Sequence, residues 1–92
     1  MRGIVAADSH RIVRETVRRA MASEGYTVVA EADNGMSALG LVRERDFDLL
    51  FLELLLPQLD GLELLTRMTS TGIRTPALVS VSRHRASSLR PA

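Results

Sequence analysis

The stretch Asp48–Leu65, DLLFLELLLPQLDGLELL, decides the fold. Leu49-Leu50-Phe51-Leu52 is an unbroken apolar run, which suits a strand buried on both faces better than one with a wet side. Pro57 and Asp60-Gly61 break the chain, and Leu62, Leu64, Leu65 and Met68 then recur at helical spacing. A single charge, Glu53, closes the apolar run. A carboxylate there either faces water at a strand end or serves a site.

The flanking sequence repeats the same alternation. Ile4-Val5-Ala6-Ala7 is a short apolar strand ending at Asp8. Ser9 is expected to cap the helix that follows, in which Ile12, Val13, Val17, Ala20 and Met21 form the apolar stripe. Arg11, Arg14, Glu15, Arg18 and Arg19 take its other face, and Gly25 ends it. Tyr26–Ala32 reads as a second strand rich in β-formers. Asp33-Asn34-Gly35 supplies a turn and cap before a second helix, whose inward stripe is Ala38, Leu39 and Val42. Asp48–Glu53 is the third strand, Gly72 closes the third helix, and Pro76–Val81 is the fourth strand, with proline tolerable at its first position.

Composition bounds what this chain can do. Ninety-two residues without internal repeats make one domain near the lower end of the usual range. With no cysteine, disulfides, thiolate metal sites and cysteine nucleophiles are excluded. The apolar run around residues 49–57 is too short to span a bilayer, and the N-terminus lacks a signal-peptide pattern, so a soluble cytoplasmic protein is expected. A net charge of +1 gives no electrostatic reason to expect nucleic acid or membrane as partners. All basic side chains apart from the histidines are arginines; the chain has no lysine.

The order βαβαβαβ implies a parallel sheet with right-handed crossovers and helices on both faces. In such open sheets ligands bind outside the carboxyl ends of the strands, where the strand order reverses. Asp8 and Ser9 follow the first strand, Glu53 ends the third and Ser80 lies near the end of the fourth. All four are expected at one rim.

The segments IVAADSHRIVRETV, EGYTVVAEADNGMSAL, DFDLLFLELLLPQLDGLELLTRM and TPALVSVS together resemble the receiver domain of two-component response regulators, from about residue 3 to residue 82. Receivers of helix-turn-helix transcription factors are the nearest in character. The resemblance implies a flavodoxin-like, doubly wound parallel sheet, here four strands and three helices in the order 2-1-3-4, over residues 1–82. It also implies phosphotransfer from a histidine kinase to an acid at the end of the third strand. Two acids after the first strand help to hold Mg²⁺ in such a domain. A Ser or Thr after the fourth strand and a Lys after the fifth contact the phosphoryl oxygens.

Carried over position by position, the site departs from that pattern. Glu53 stands at the phospho-acceptor position, where the family has Asp. The acidic-pocket positions are Asp8 and Ser9, so one carboxylate is replaced by a hydroxyl. Ser80 matches the phosphate-contact position, with Ser82 as the other register, and no lysine can match. Asp8 and Glu53 remain as metal ligands, for weak Mg²⁺ binding at best. Glutamate carries its carboxylate roughly 1.5 Å farther from the backbone than aspartate, and misplacement on that scale costs about 100-fold where positioning matters. Read this way, Glu53 is inert; its alternative reading is a partial imitation of an acyl phosphate, with one negative charge against about −1.5 to −2.

After Ser82 the resemblance stops. Arg83–Ala92 is basic without an acid, and is expected to be a disordered tail in place of the family's last strand and helices. The fourth strand then becomes an edge, whose Ala77-Leu78-Val79 invites homodimer pairing or a completing partner; a truncated product is the third explanation. His10 is expected to be an exposed helix-start residue. His84 has no second histidine or cysteine at ligand spacing, so zinc is not expected there. Asp8, Ser9 and His10 adjoin without a nucleophile-elbow motif, which argues against a hydrolase, and no Gly-rich loop supports a nucleotide or flavin site. The favoured reading is a non-enzymatic, degenerate receiver that works through protein contacts. The alternatives are a phospho-accepting receiver using Glu53 and a self-associating fragment.

Overall fold

A computed structural model describes residues 2–81; the expected tail, Ser82 and His84 lie outside the described residues. Its elements are β1 (Arg2–Ala7), α1 (Arg11–Ala22), β2 (Tyr26–Ala32), α2 (Gly35–Glu44), β3 (Leu49–Glu53), α3 (Gly61–Ser70) and β4 (Ala77–Ser80). The strands form one parallel sheet in the order β2-β1-β3-β4. The predicted flavodoxin-like topology is therefore the observed one.

Alternation along the inner strands distributes side chains to two cores. Val5, Ala7, Leu50 and Leu52 join Ala38, Leu39 and Val42 of α2 and Leu64 and Met68 of α3 on one face. Ile4, Ala6, Val28 and Phe51 take the other face, against Val13, Val17 and Met21 of α1. The two layers differ in depth. α2 and α3 bury whole side chains, each contributing about 1.5–3 kcal/mol, whereas α1 has no fully buried residue.

Two expected stripes are narrower than the sequence suggests. Ile12 is 74% exposed and Leu62 is 68% exposed. The inward row of α1 is Val13, Val17 and Met21, spaced i, i+4, i+8, and Ile12 sits about 100° off it around the axis. In α3 the inward row is Gly61, Leu64, Leu65 and Met68, and Leu62 falls outside it for the same reason. Ser9 does not cap α1 either. The cap position belongs to His10, without a side-chain cap bond, because α1 starts one residue later than a Ser9 cap would require.

The helices over the other face start and stop as their capping chemistry dictates. Asn34 accepts from the Ser37 N–H at the start of α2, and Asp60 from the Glu63 N–H at the start of α3. Gly25 and Gly72 take positive φ just beyond α1 and α3. On its outer side, among the described residues, β4 has no neighbouring strand. Its Leu78 and Val79 are 49% and 42% exposed.

Candidate functional site

The carboxyl ends of β1 and β3 adjoin in the middle of the sheet, and the residues that follow them form one pocket. Asp8 and Glu53 are the two buried charged residues there, each 2% exposed. Asp8 is fixed through its backbone from both neighbours. Its N–H donates to the Ala32 carbonyl at the end of β2 (3.0 Å), and its carbonyl accepts from Arg14 Nη1 (2.8 Å). Its side chain closes an Asx turn, Oδ1 accepting the His10 N–H at 2.8 Å. That turn folds the imidazole back, so that His10 Nδ1 lies 3.1 Å from the same Oδ1 and 4.0 Å from Glu53 Oε1.

Glu53 is held from the same loop. Ser9 donates to Oε1 twice, from its backbone N–H at 3.2 Å and from its hydroxyl at 3.1 Å. The strand end itself is clamped. Leu54 N–H donates to the Ser80 carbonyl (3.0 Å) and Gly61 N–H to the Leu54 carbonyl (2.8 Å). A Cβ at Gly61 would stand 2.7 Å from the Glu53 carbonyl oxygen, so only glycine lets α3 begin this close to the strand end.

Of the predicted rim residues, Ser9 and Glu53 are directly hydrogen-bonded, and Asp8 joins them through His10. Ser80 is paired in register with Glu53 across β3 and β4 and is partly buried. Two residues that sequence reasoning set aside belong to the pocket. His10, expected as an exposed helix-start residue, keeps a 53% exposed side chain but turns Nδ1 onto Asp8. Arg14, expected on the outer face of α1, is 16% exposed and joins the ends of β1 and β2, bonding the Asp8 carbonyl and Glu31 Oε1 (2.9 Å). Glu31 also pairs with Arg18, and these two guanidinium groups, Arg18 foremost, hold its carboxyl below the ordinary value of 4.5 against a smaller opposing effect of burial.

The geometry answers two chemical questions. Ser9 Oγ lies 3.3 Å from His10 Nδ1, the same nitrogen that faces Asp8. A hydrolytic triad needs the nucleophile and the acid on different ring nitrogens, so this cluster is not one. Donor atoms of Asp8, His10 and Glu53 do lie within 4.8 Å of one another, a spacing that could hold a metal ion.

The pocket at the carboxyl ends of the central strands, on this sheet order, has counterparts among known proteins. Residues 4–91 match the response regulator receiver domain family. A putative transcriptional regulator of Pseudomonas aeruginosa is 38% identical over 86% of this chain and 38% of its own length. The response regulator MprA of Mycobacterium leprae is 41% identical over 87% of this chain and 35% of its own. Among solved structures, the response regulator TrrA of Thermotoga maritima in complex with Mg²⁺-BeF superposes with a TM-score of 0.81 at 26% identity, covering 97% of this chain and 77% of that one. The chain thus spans little more than a third of those two regulators, and among the described residues no helix is long and apolar enough to cross a membrane. Its sequence, its fold and the position of its pocket make it a member of the response regulator receiver domain family.

Proposed function

We propose that this chain is a degenerate receiver, a cytoplasmic signalling module that acts through protein contacts rather than by turnover or by accepting a phosphoryl group. The observation that carries the reading is the state of Glu53 Oε1, which accepts two hydrogen bonds from Ser9 inside the pocket. A phospho-acceptor oxygen must instead attack phosphorus in line, with cations around it to neutralise the developing charge. Ser9 removes one of the charged groups that the family pattern supplies. Ser80, in register with Glu53, is the remaining hydroxyl at the phosphate-contact position.

The residues present fit Mg²⁺ poorly. That ion demands near-octahedral oxygen ligation, met by one or two carboxylates with retained waters, whereas here the third donor beside two carboxylates is an imidazole nitrogen. The partners proposed are a histidine kinase or another response-regulator-like protein. A second copy of the chain is a further candidate, favoured by the exposed apolar side chains of Leu78 and Val79 on the β4 edge.

Intact mass after incubation with Mg²⁺ and a small acyl-phosphate donor tests the reading. The wild type is expected to remain unmodified, as is Glu53→Asp, because the charge missing at Ser9 is not restored. A stoichiometric phosphoryl adduct on the wild type overturns the proposal. An adduct on Glu53→Asp alone leaves the wild type inert and assigns its silence to the acceptor.

A further inference from the structure

The mismatch with Mg²⁺ has a chemical direction. Asp8 and Glu53 bring two carboxylates into a site where each is 2% exposed. Among the described residues, the ion pairs of both are with His10. Buried carboxylates left without a countercharge are costly, and a dication compensates two at once. We propose that Asp8, His10 and Glu53 form a site for a nitrogen-seeking divalent transition ion, with Zn²⁺ as its representative, in preference to Mg²⁺.

Three features support this assignment. The first is donor type, since imidazole suits zinc and its neighbours in the transition series, whereas carboxylate, carbonyl and water suit magnesium. The second is spacing. Ligands bonded tetrahedrally at about 2.0–2.1 Å stand about 3.3 Å from one another. His10 Nδ1 and Asp8 Oδ1 are already 3.1 Å apart. Nδ1 and Glu53 Oε1 are 4.0 Å apart, and a shared ion would draw them about 0.7 Å closer. The third is ligand count. Two carboxylates and one imidazole give three protein ligands, leaving the fourth position for water or for the Ser9 hydroxyl, which lies 3.3 Å from Nδ1 and 3.1 Å from Oε1. With Ser9 in place of the second acid the site carries less negative charge, while the adjacent His10 supplies a nitrogen donor, and together they set which ion the pocket selects.

The assignment does not depend on whether Glu53 accepts phosphate, and its test contains no phosphoryl donor. The metal-stripped full chain is titrated calorimetrically with Zn²⁺ and, separately, with Mg²⁺. The wild type is expected to bind one Zn²⁺ more tightly than Mg²⁺. His10→Asn, which retains a side chain able to cap α1, is expected to lose Zn²⁺ affinity by more than the about 10–100-fold that an outer partner contributes, with Mg²⁺ affinity unchanged. The chain's other histidine is the control, and His84→Ala is expected to bind Zn²⁺ as the wild type does. Wild-type Zn²⁺ affinity in His10→Asn, loss of binding in His84→Ala, or tighter Mg²⁺ than Zn²⁺ binding in the wild type overturns the assignment. Imidazole ¹⁵N resonances of the unmutated chain give a readout that needs no variant. The His10 Nδ1 signal should move on adding Zn²⁺ and not on adding Mg²⁺, and its failure to move with Zn²⁺ also overturns the assignment.

Discussion

Replacing Gly35 by alanine places a methyl group where the backbone of Leu59 already stands. The added Cβ would lie 1.6 Å from the Leu59 carbonyl oxygen, 2.5 Å from its carbonyl carbon and 2.6 Å from its Cβ. Carbon and carbonyl oxygen ordinarily approach to about 3.3–3.6 Å, so roughly 1.8 Å must be opened. None of it can come from a flexible side chain, because the obstructing atoms are backbone or directly attached to it. The same contact carries the Gly35 N–H to Pro57 carbonyl bond at 3.0 Å, which the opening would break. Overpacking costs about 1–3 kcal/mol and a buried group left unpaired about 1–3 kcal/mol, so a loss of about 3–4 kcal/mol is expected. That is a large share of a stability of about 5–15 kcal/mol. Gly40, in the same helix, is the internal control. Nothing lies within 4 Å of a Cβ placed there, and alanine should gain about 0.8–1.0 kcal/mol from helix propensity. Urea unfolding followed by far-ultraviolet circular dichroism separates the two variants, since the chain has no tryptophan to report by fluorescence. A Gly35→Ala midpoint equal to that of the wild type would show that the start of α2 is not seated on the β3–α3 loop, and would refute the packing described above.

Glu31 gives a pH-dependent prediction. Its carboxyl is held below 4.5 in the folded chain, so the stability it contributes is present above that value and is lost as pH falls through the lower folded value. Its partners are partly exposed, so the contribution is discounted to about 1 kcal/mol or less. The stability difference between wild type and Glu31→Gln, measured by urea unfolding, should therefore shrink as pH drops below 4.5; a difference that stays constant contradicts the pairing with Arg14 and Arg18. At the β4 edge, Val79→Lys should move the sedimentation equilibrium of the chain toward monomer if the edge pairs with a second copy, and an unchanged mass distribution argues against pairing there.

The sequence exposed the fold to inspection because two kinds of signal agreed. Unbroken apolar runs in β1 and β3 required strands covered on both faces, and the helices between them forced parallel crossovers. Convergence of Asp8, Ser9 and Glu53 followed from topology alone, since all three end or follow central strands. What stayed hidden depended on side-chain reach. Ser9 looked like a helix cap because its residue type favours that role, but helix α1 starts one residue later, and the Ser9 hydroxyl donates to Glu53 instead. His10 looked inert because helix-start residues usually face water; the Asx turn at Asp8, a local detail without a periodic signature, carries its ring back to the pocket. Arg14 belonged by spacing to the outer face of α1, yet a guanidinium is long enough to curl over the helix and reach two strand ends.

Glu53 and Ser9 make physical sense only as a pair. An acid at Ser9 would bring a third carboxylate beside two that are each 2% exposed, and like charges so close oppose one another's ionisation. A hydroxyl there donates a hydrogen bond instead of repelling. The glutamate, in turn, needs its extra methylene to reach that donor. An aspartate at the same backbone position would fall roughly 1.5 Å short, turning contacts of 3.1 and 3.2 Å into separations that are no longer hydrogen bonds. Each departure from the family pattern therefore offsets the strain that the other would cause alone. The joint result is a loop after β1 tied to the end of β3 by Oε1, the kind of atom a phospho-acceptor must leave free to attack. Restoring aspartate without restoring the acid at Ser9 removes the tie and supplies no cation site in exchange, which is why the single substitution is expected to leave the pocket silent.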